Sequence, residues 1–109
     1  MNEPLQARVA QTADVAGLFA PVPTLLLELQ SLLGTLTAAV TAETERGRRP
    51  FRPGPHWDQR LGELAYGVFL LADQSGVDVG QAVEQTARQL ELRGRQAQAA
   101  DQHGWPFEG

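Results

Sequence analysis

Arginines and carboxylates supply most of the chemistry this chain could do. Arg46, Arg48, Arg49 and Arg52 crowd into one short stretch around Phe51, the only concentrated positive patch in the 109 residues. Guanidinium groups beside an aromatic ring suit a phosphate or a nucleotide, because the planar fork donates two parallel hydrogen bonds to phosphate oxygens. No glycine-rich phosphate loop precedes a helix, so the simpler reading of the patch is a solvated connector. Glu43 and Glu45, beside Arg46, Arg48 and Arg49, read as a solvated helix end. His56 and His103 are far apart in sequence, and neither sits in a zinc-type cluster. The chain has no cysteine, hence no disulfide, thiolate nucleophile or sulfur-ligated metal. No Ser/His/Asp arrangement can be named from it.

A formal charge of −4 and a pI near 5.0 argue against a general binder of nucleic acid or anionic membrane, since no overall positive field attracts phosphates. All nine basic residues are arginines. Hydrophobic content of 42% with 20% charged residues is ordinary for a globular protein. The length predicts one helical domain over residues 1–95 and a polar tail over 96–109. The N-terminus lacks a basic stretch followed by an apolar core, and no apolar run approaches the ~20 residues that span a bilayer, so a cytoplasmic location is expected.

Four helices are predicted to position these groups. Leu5, Val9, Ala13 and Ala16 recur at helical spacing, giving a first helix over 5–19 that ends before Pro21 and Pro23. Thr24 can cap a second, whose apolar pattern runs from Leu25 through Leu36 to Val40 and stops at Gly47. Residues 48–55, RRPFRPGP, form a connecting loop. A third helix starts near Asp58, with Trp57 packing at its start, and stops at Ser75-Gly76. Asp78 and Gln81 fit a capping box for a fourth, which carries Ala82, Val83, Ala87 and Leu90 inward until polarity takes over near Gly94. Trp105 and Phe107 are candidates to anchor the tail. No period-2 alternation marks a strand.

Helices apolar on nearly every side are normally buried on several. A chain this small cannot cover both Leu25–Val40 and Leu61–Ala72, so the reading is a homo-oligomer, a dimer with possible pairing into a tetramer. Gly34, Gly62 and Gly67 each cost roughly 1 kcal/mol against alanine inside a helix, and close helix approach is the expected compensation. A helix, a Gly76 turn and a second helix also mimic a helix-turn-helix. Asp78 and Glu84 on its leading turns would repel DNA, so that reading is a minor alternative.

Leu71-Ala72-Asp73, then Gly76-Val77-Asp78-Val79 and Ala82-Val83 after a long apolar helix, resemble the MazG-like, all-α nucleoside triphosphate pyrophosphohydrolase family over roughly residues 25–93. The resemblance implies an all-α four-helix bundle completed by oligomerisation. In that family EExxE and ExxD motifs hold a divalent metal, usually Mg²⁺, and a nucleoside triphosphate is cut to monophosphate and pyrophosphate. A hard cation needs several oxygen ligands, which carboxylates at such spacing present to one cleft. Here Ser31, Leu32 and Thr35 stand where the three glutamates of the first motif belong. Arg60 falls at the glutamate of the second and Glu63 at its aspartate. On the last helix, Thr86 and Leu90 replace lysine and asparagine, and Arg93 matches a commonly basic position.

Glu28 lies three residues before Ser31, on nearly the same helical face, and is placed to reach toward Glu63. Glu28 and Glu63 are therefore the candidate metal ligands, and Arg93 and Arg60 the candidate nucleotide contacts. With Arg60 close by, an ion-paired cluster is the favoured arrangement of the two acids. The resemblance then carries two functional expectations. The first is a divergent relative whose hydrolysis is impaired or lost and which keeps a nucleotide-binding or regulatory role. The second is an active pyrophosphohydrolase that uses Mg²⁺ with Glu28, Glu63 and a partner subunit.

Overall fold

A computed structural model describes residues 4–102, with side chains through Ala100. His103, Trp105 and Phe107, the expected tail anchors among them, lie outside the described residues. Four helices make up the described chain: α1 (Leu5–Ala16), α2 (Val22–Glu43), α3 (Trp57–Gln74) and α4 (Val79–Gln102). No strand occurs among the described residues, so the fold is all-α as the periodicity predicts. The chain divides into two compact units, Met1–Val77 and Asp78–Gly109.

The ends of the helices depart from the sequence reading in informative ways. α1 stops at Ala16 because Gly17 turns left-handed (φ 69°) and Leu18 N–H donates to Ala13 O, three residues short of the predicted end. α2 begins at Val22, with Pro21 rather than Thr24 as its cap. First-turn N–H groups have no partner within a helix, so Pro23, which lacks one, sits in that turn at no cost. The far end of α2 is reached at Glu43, and Glu45, Arg46 and Gly47 follow as three successive residues with positive φ. α3 starts at Trp57 with His56 at its cap position, since Trp57 N–H is already turned back onto Gly54 O; Asp58 lies inside the first turn.

Within the first unit, α3 is the central element and packs against both α1 and α2. Val9 and Ala13 of α1, Leu25 of α2 and Leu70 of α3 form its buried centre, with Ala20, Tyr66, Phe69 and Leu71 packed around them. A polar knot ties α1 to α3. Tyr66 Oη donates to Val9 O at 3.1 Å, and Thr12 Oγ1, 2.6 Å from Tyr66 Oη, completes a three-oxygen cluster. α2 and α3 run antiparallel, for Leu25 meets Leu70, Leu29 and Leu32 meet Gly67, and Ala39 to Glu43 border a cleft with Trp57 and Arg60.

At Gly67 α3 closely meets an α2 side chain, since a Cβ there would lie 2.7 Å from Leu29 Cδ2. Gly34 and Gly62 have open space where a Cβ would stand, so the expectation of close approach holds at Gly67 and is corrected at the other two. The α2–α3 pair is covered by α1 on one side. Leu26 (47% exposed) and Leu33 (53%) of α2, with Leu61 (41%) and Val68 (40%) of α3, remain open. At about 100° per residue, each pair trails its own helix's contact line by about a quarter turn, which in an antiparallel pair brings all four to the same side. That side is opposite the one α1 covers.

α2 also corrects the statement that no segment is long and apolar enough to span a bilayer. Thr, Ser, Gln and Gly interrupt its runs of leucine, yet over 22 residues, about 33 Å, the helix passes by length and composition alone. A core helix of a soluble protein passes the same test.

Among the described residues the second unit is a single long helix, α4. Asp78 Oδ1 accepts the Gln81 N–H at 3.1 Å, the first half of the expected capping box. The helix runs through Gly94 to Gln102 rather than stopping where polarity rises. Gln96, Ala97, Gln98, Ala99 and Ala100 are strong helix formers, and one interior glycine costs too little to end a helix. The i,i+4 pairs Glu84–Arg88 (3.8 Å) and Glu91–Arg95 (3.2 Å) reinforce it, and Ala82, Val83, Ala87 and Leu90, expected to face inward, are exposed.

Candidate functional site

Glu28 and Glu63, chosen from sequence as the possible metal ligands, do share one cleft. It lies between α2 and α3, has a volume of about 260 Å³, and is otherwise walled by Leu25, Leu29, Leu32, Gly67 and Leu70. The connector Gly17–Ala20 closes one end, and Tyr66 contributes to the wall. The antiparallel pairing explains the juxtaposition: α3 ascends past α2 in reverse, so Glu63, one turn before Gly67, comes to the same groove as Glu28, one residue before Leu29. Both acids are exposed at the rim, and Gln59 Nε2 donates to Glu63 Oε2 at a long 3.5 Å.

Two carboxylates on a mostly aliphatic groove make a poor hard-cation site. Mg²⁺ and Ca²⁺ want six or more oxygens, and dedicated sites draw several from carboxylates. Among the described residues no group of three or more His, Asp or Glu is arranged to hold a metal ion. Thr35 Oγ1 is occupied along its own helix, donating to the main-chain carbonyl of Ser31 at 3.1 Å.

The ion-paired cluster expected of Glu28, Glu63 and Arg60 does not form. The side chains of Arg60 and Glu63 start from adjacent turns of α3 but open into different clefts, and no carboxylate among the described residues pairs with Arg60. Arg60 instead borders a cleft of about 180 Å³ at the α3 N-terminus, lined also by Ala39, Val40, Glu43, Phe51, Arg52, His56 and Trp57. Residues on the two sides of the proline-rich loop meet there, with the Phe51 and Trp57 rings packed edge to face at 4.8 Å. The sequence signal for this cleft was the pair of aromatic residues six apart across a Pro/Gly loop; what it lacked was the placement of Arg60 beside them.

The rest of the arginine patch divides. Arg49 Nε donates to Glu43 O at 3.0 Å, and its guanidinium stands 3.8 Å from Glu45 in an exposed pair. This much agrees with a solvated helix end, and a pair so exposed adds little stability. Arg93, the other candidate nucleotide contact, lies on α4 in the second unit, with Leu90 and Thr86 respectively one and two turns before it.

Comparison with protein-family models, with curated proteins and with solved structures finds no match for this chain. The residues themselves therefore carry the functional argument.

Proposed function

We propose that this protein is a self-associating, divergent MazG-like helical protein that acts by binding or regulation, and that Mg²⁺-dependent cleavage of nucleoside triphosphates has been lost. The observation that carries the reading is the composition of the α2–α3 groove. Where hydrolysis calls for a ring of acids around a metal, two rim carboxylates, Glu28 and Glu63, face five aliphatic or glycine positions. A metal that lowers the pKa of its bound water must first be held, and two exposed carboxylates hold it weakly.

Self-association is the second element of the proposal. The open side of the α2–α3 pair presents Leu26, Leu33, Leu61 and Val68; on α2, Gln30 lies between the two leucines and Thr37 one turn beyond them, neither charged. An uncharged apolar face suits an isologous twofold contact, in which the same patch of each copy is buried without charge repulsion.

Incubating the pure protein with a panel of nucleoside triphosphates and Mg²⁺ or Mn²⁺ tests the first element by release of pyrophosphate. The expected outcome is no turnover. Turnover abolished by Glu63→Gln would overturn it and favour an active enzyme that takes further ligands from a partner subunit, a reading to which the shared groove of Glu28 and Glu63 lends some support. Flotation with vesicles addresses the length of α2: recovery with lipid in place of a soluble oligomer would overturn self-association.

A further inference from the structure

The cleft at the start of α3 lies apart from the Glu28–Glu63 groove and has a different chemistry. Two guanidinium groups, Arg52 and Arg60, border it, and neither is paired with a carboxylate among the described residues. Glu43 and His56 are the other titratable groups on its wall, so two cations face one acid and the excess is positive. The N-terminus of α3 and the C-terminus of α2 both reach this cleft, so their dipoles offset and the arginines set its preference. Arg60 is half-buried, which weakens solvent screening of its charge.

The remaining wall is aromatic and aliphatic. Phe51 and Trp57 stand edge to face at 4.8 Å, and Ala39, Val40 and Pro55 complete the apolar side. The T-shaped contact ties the loop that carries Arg52 to the helix that carries Arg60, so one aromatic pair positions both cations. A second crevice bounded by Glu43, Arg49, Pro50 and Arg52 adjoins the first across Arg52.

We infer that this cleft binds a small planar ring bearing a phosphate monoester, the ring against Phe51 and Trp57 and the phosphate between Arg52 and Arg60. A phosphate suits the pair because each guanidinium presents parallel N–H donors to two of its oxygens. At about 180 Å³ the space is below the range of about 300–1,000 Å³ that encloses drug-sized ligands, which favours a single ring with a single phosphate over a nucleoside triphosphate. The inference does not depend on whether the Glu28–Glu63 groove hydrolyses anything.

Phenyl phosphate is the probe, with inorganic phosphate and phenol as its two halves. The chain has two tryptophans, so Trp105→Phe leaves Trp57 as the sole indole reporter. Phenyl phosphate is expected to change Trp57 emission saturably and to bind more tightly than either half. Arg52→Gln and Arg60→Gln should each weaken it by about tenfold or more, the loss expected for one charge-assisted hydrogen bond. Circular dichroism checks that the variants keep their helices. If Arg60→Gln unfolds, Arg52→Gln, in an exposed loop, carries the test alone. Absence of a saturable change, phenol binding as tightly as phenyl phosphate, or affinity unaltered in a folded Arg52→Gln variant would each overturn the inference.

Discussion

Glycine 67 illustrates how one residue type answers different demands along one helix. Gly62 and Gly67 stand five apart on α3 and look equivalent in sequence, yet only Gly67 is crossed by a neighbour, the Leu29 side chain. Gly62→Ala is therefore expected to stabilise the protein by about 1 kcal/mol, the full helix-propensity gain. At Gly67 the same change pushes against Leu29 Cδ2, the far end of a flexible side chain, and forcing that side chain off its rotamer costs about 0.5–1.5 kcal/mol. Gly67→Ala should come out near neutral, and Gly67→Val clearly destabilising. Urea unfolding of the three variants, compared at constant slope, checks the order. Equal stabilisation at both sites would show that Leu29 does not rest on Gly67.

At the scale of the element, the α2–α3 connection stores strain that no sequence pattern announced. Glu45 (φ 50°) and Arg46 (φ 62°) adopt left-handed backbone that costs roughly 1 kcal/mol or more for a side-chain-bearing residue, followed by Gly47 (φ 86°), which adopts it freely. The turn is held by Thr44, whose buried hydroxyl donates to Val40 O at 2.8 Å and accepts the Gly47 N–H at 3.1 Å, and by Arg46 N–H donating to Thr41 O at 2.8 Å. Arg46→Gly is expected to stabilise by about 1 kcal/mol, whereas Gly47→Ala should destabilise by a similar amount. Thermal or chemical unfolding of the pair decides it, and opposite signs are the signature. The sequence put the helix stop at Gly47, but α2 ends four residues earlier at Glu43, and the conformation of Glu45 and Arg46 was not legible because it comes from the hydrogen bonds that close the turn.

On the scale of the molecule, the open side of α2 and α3 is the feature with the largest consequence. A helical pair with α1 on one side and leucines on the other has solved half of its burial problem. Replacing Leu33 by glutamate should shift the protein from dimer to monomer in sedimentation or light scattering, with its helix content retained. Leu27→Glu, about a third of a turn around α2, serves as the control, because it adds the same charge off that side. A monomeric parent, or equal effects of the two substitutions, would remove the self-association proposal while leaving the helical fold as it stands.

Periodicity in the chain determined the four helices and their approximate spans, since the spacing of Val9 and Ala13, the apolar run through Leu25 and Leu36, the RRPFRPGP interruption and the Asp78 cap are local properties. It also put Glu28 in reach of Glu63, but whether α2 and α3 run antiparallel was settled only by the tertiary structure, since the loop over 48–55 could reverse the chain or carry it across. Only the tertiary structure decided that Arg60 turns from those acids toward Arg52 and Trp57, and that of Gly34, Gly62 and Gly67 only Gly67 meets a neighbouring helix. The physical reason is angular. Neighbouring turns of one helix differ by a fraction of a rotation, and which cleft a side chain enters depends on where the partner helix crosses, a quantity no single segment encodes.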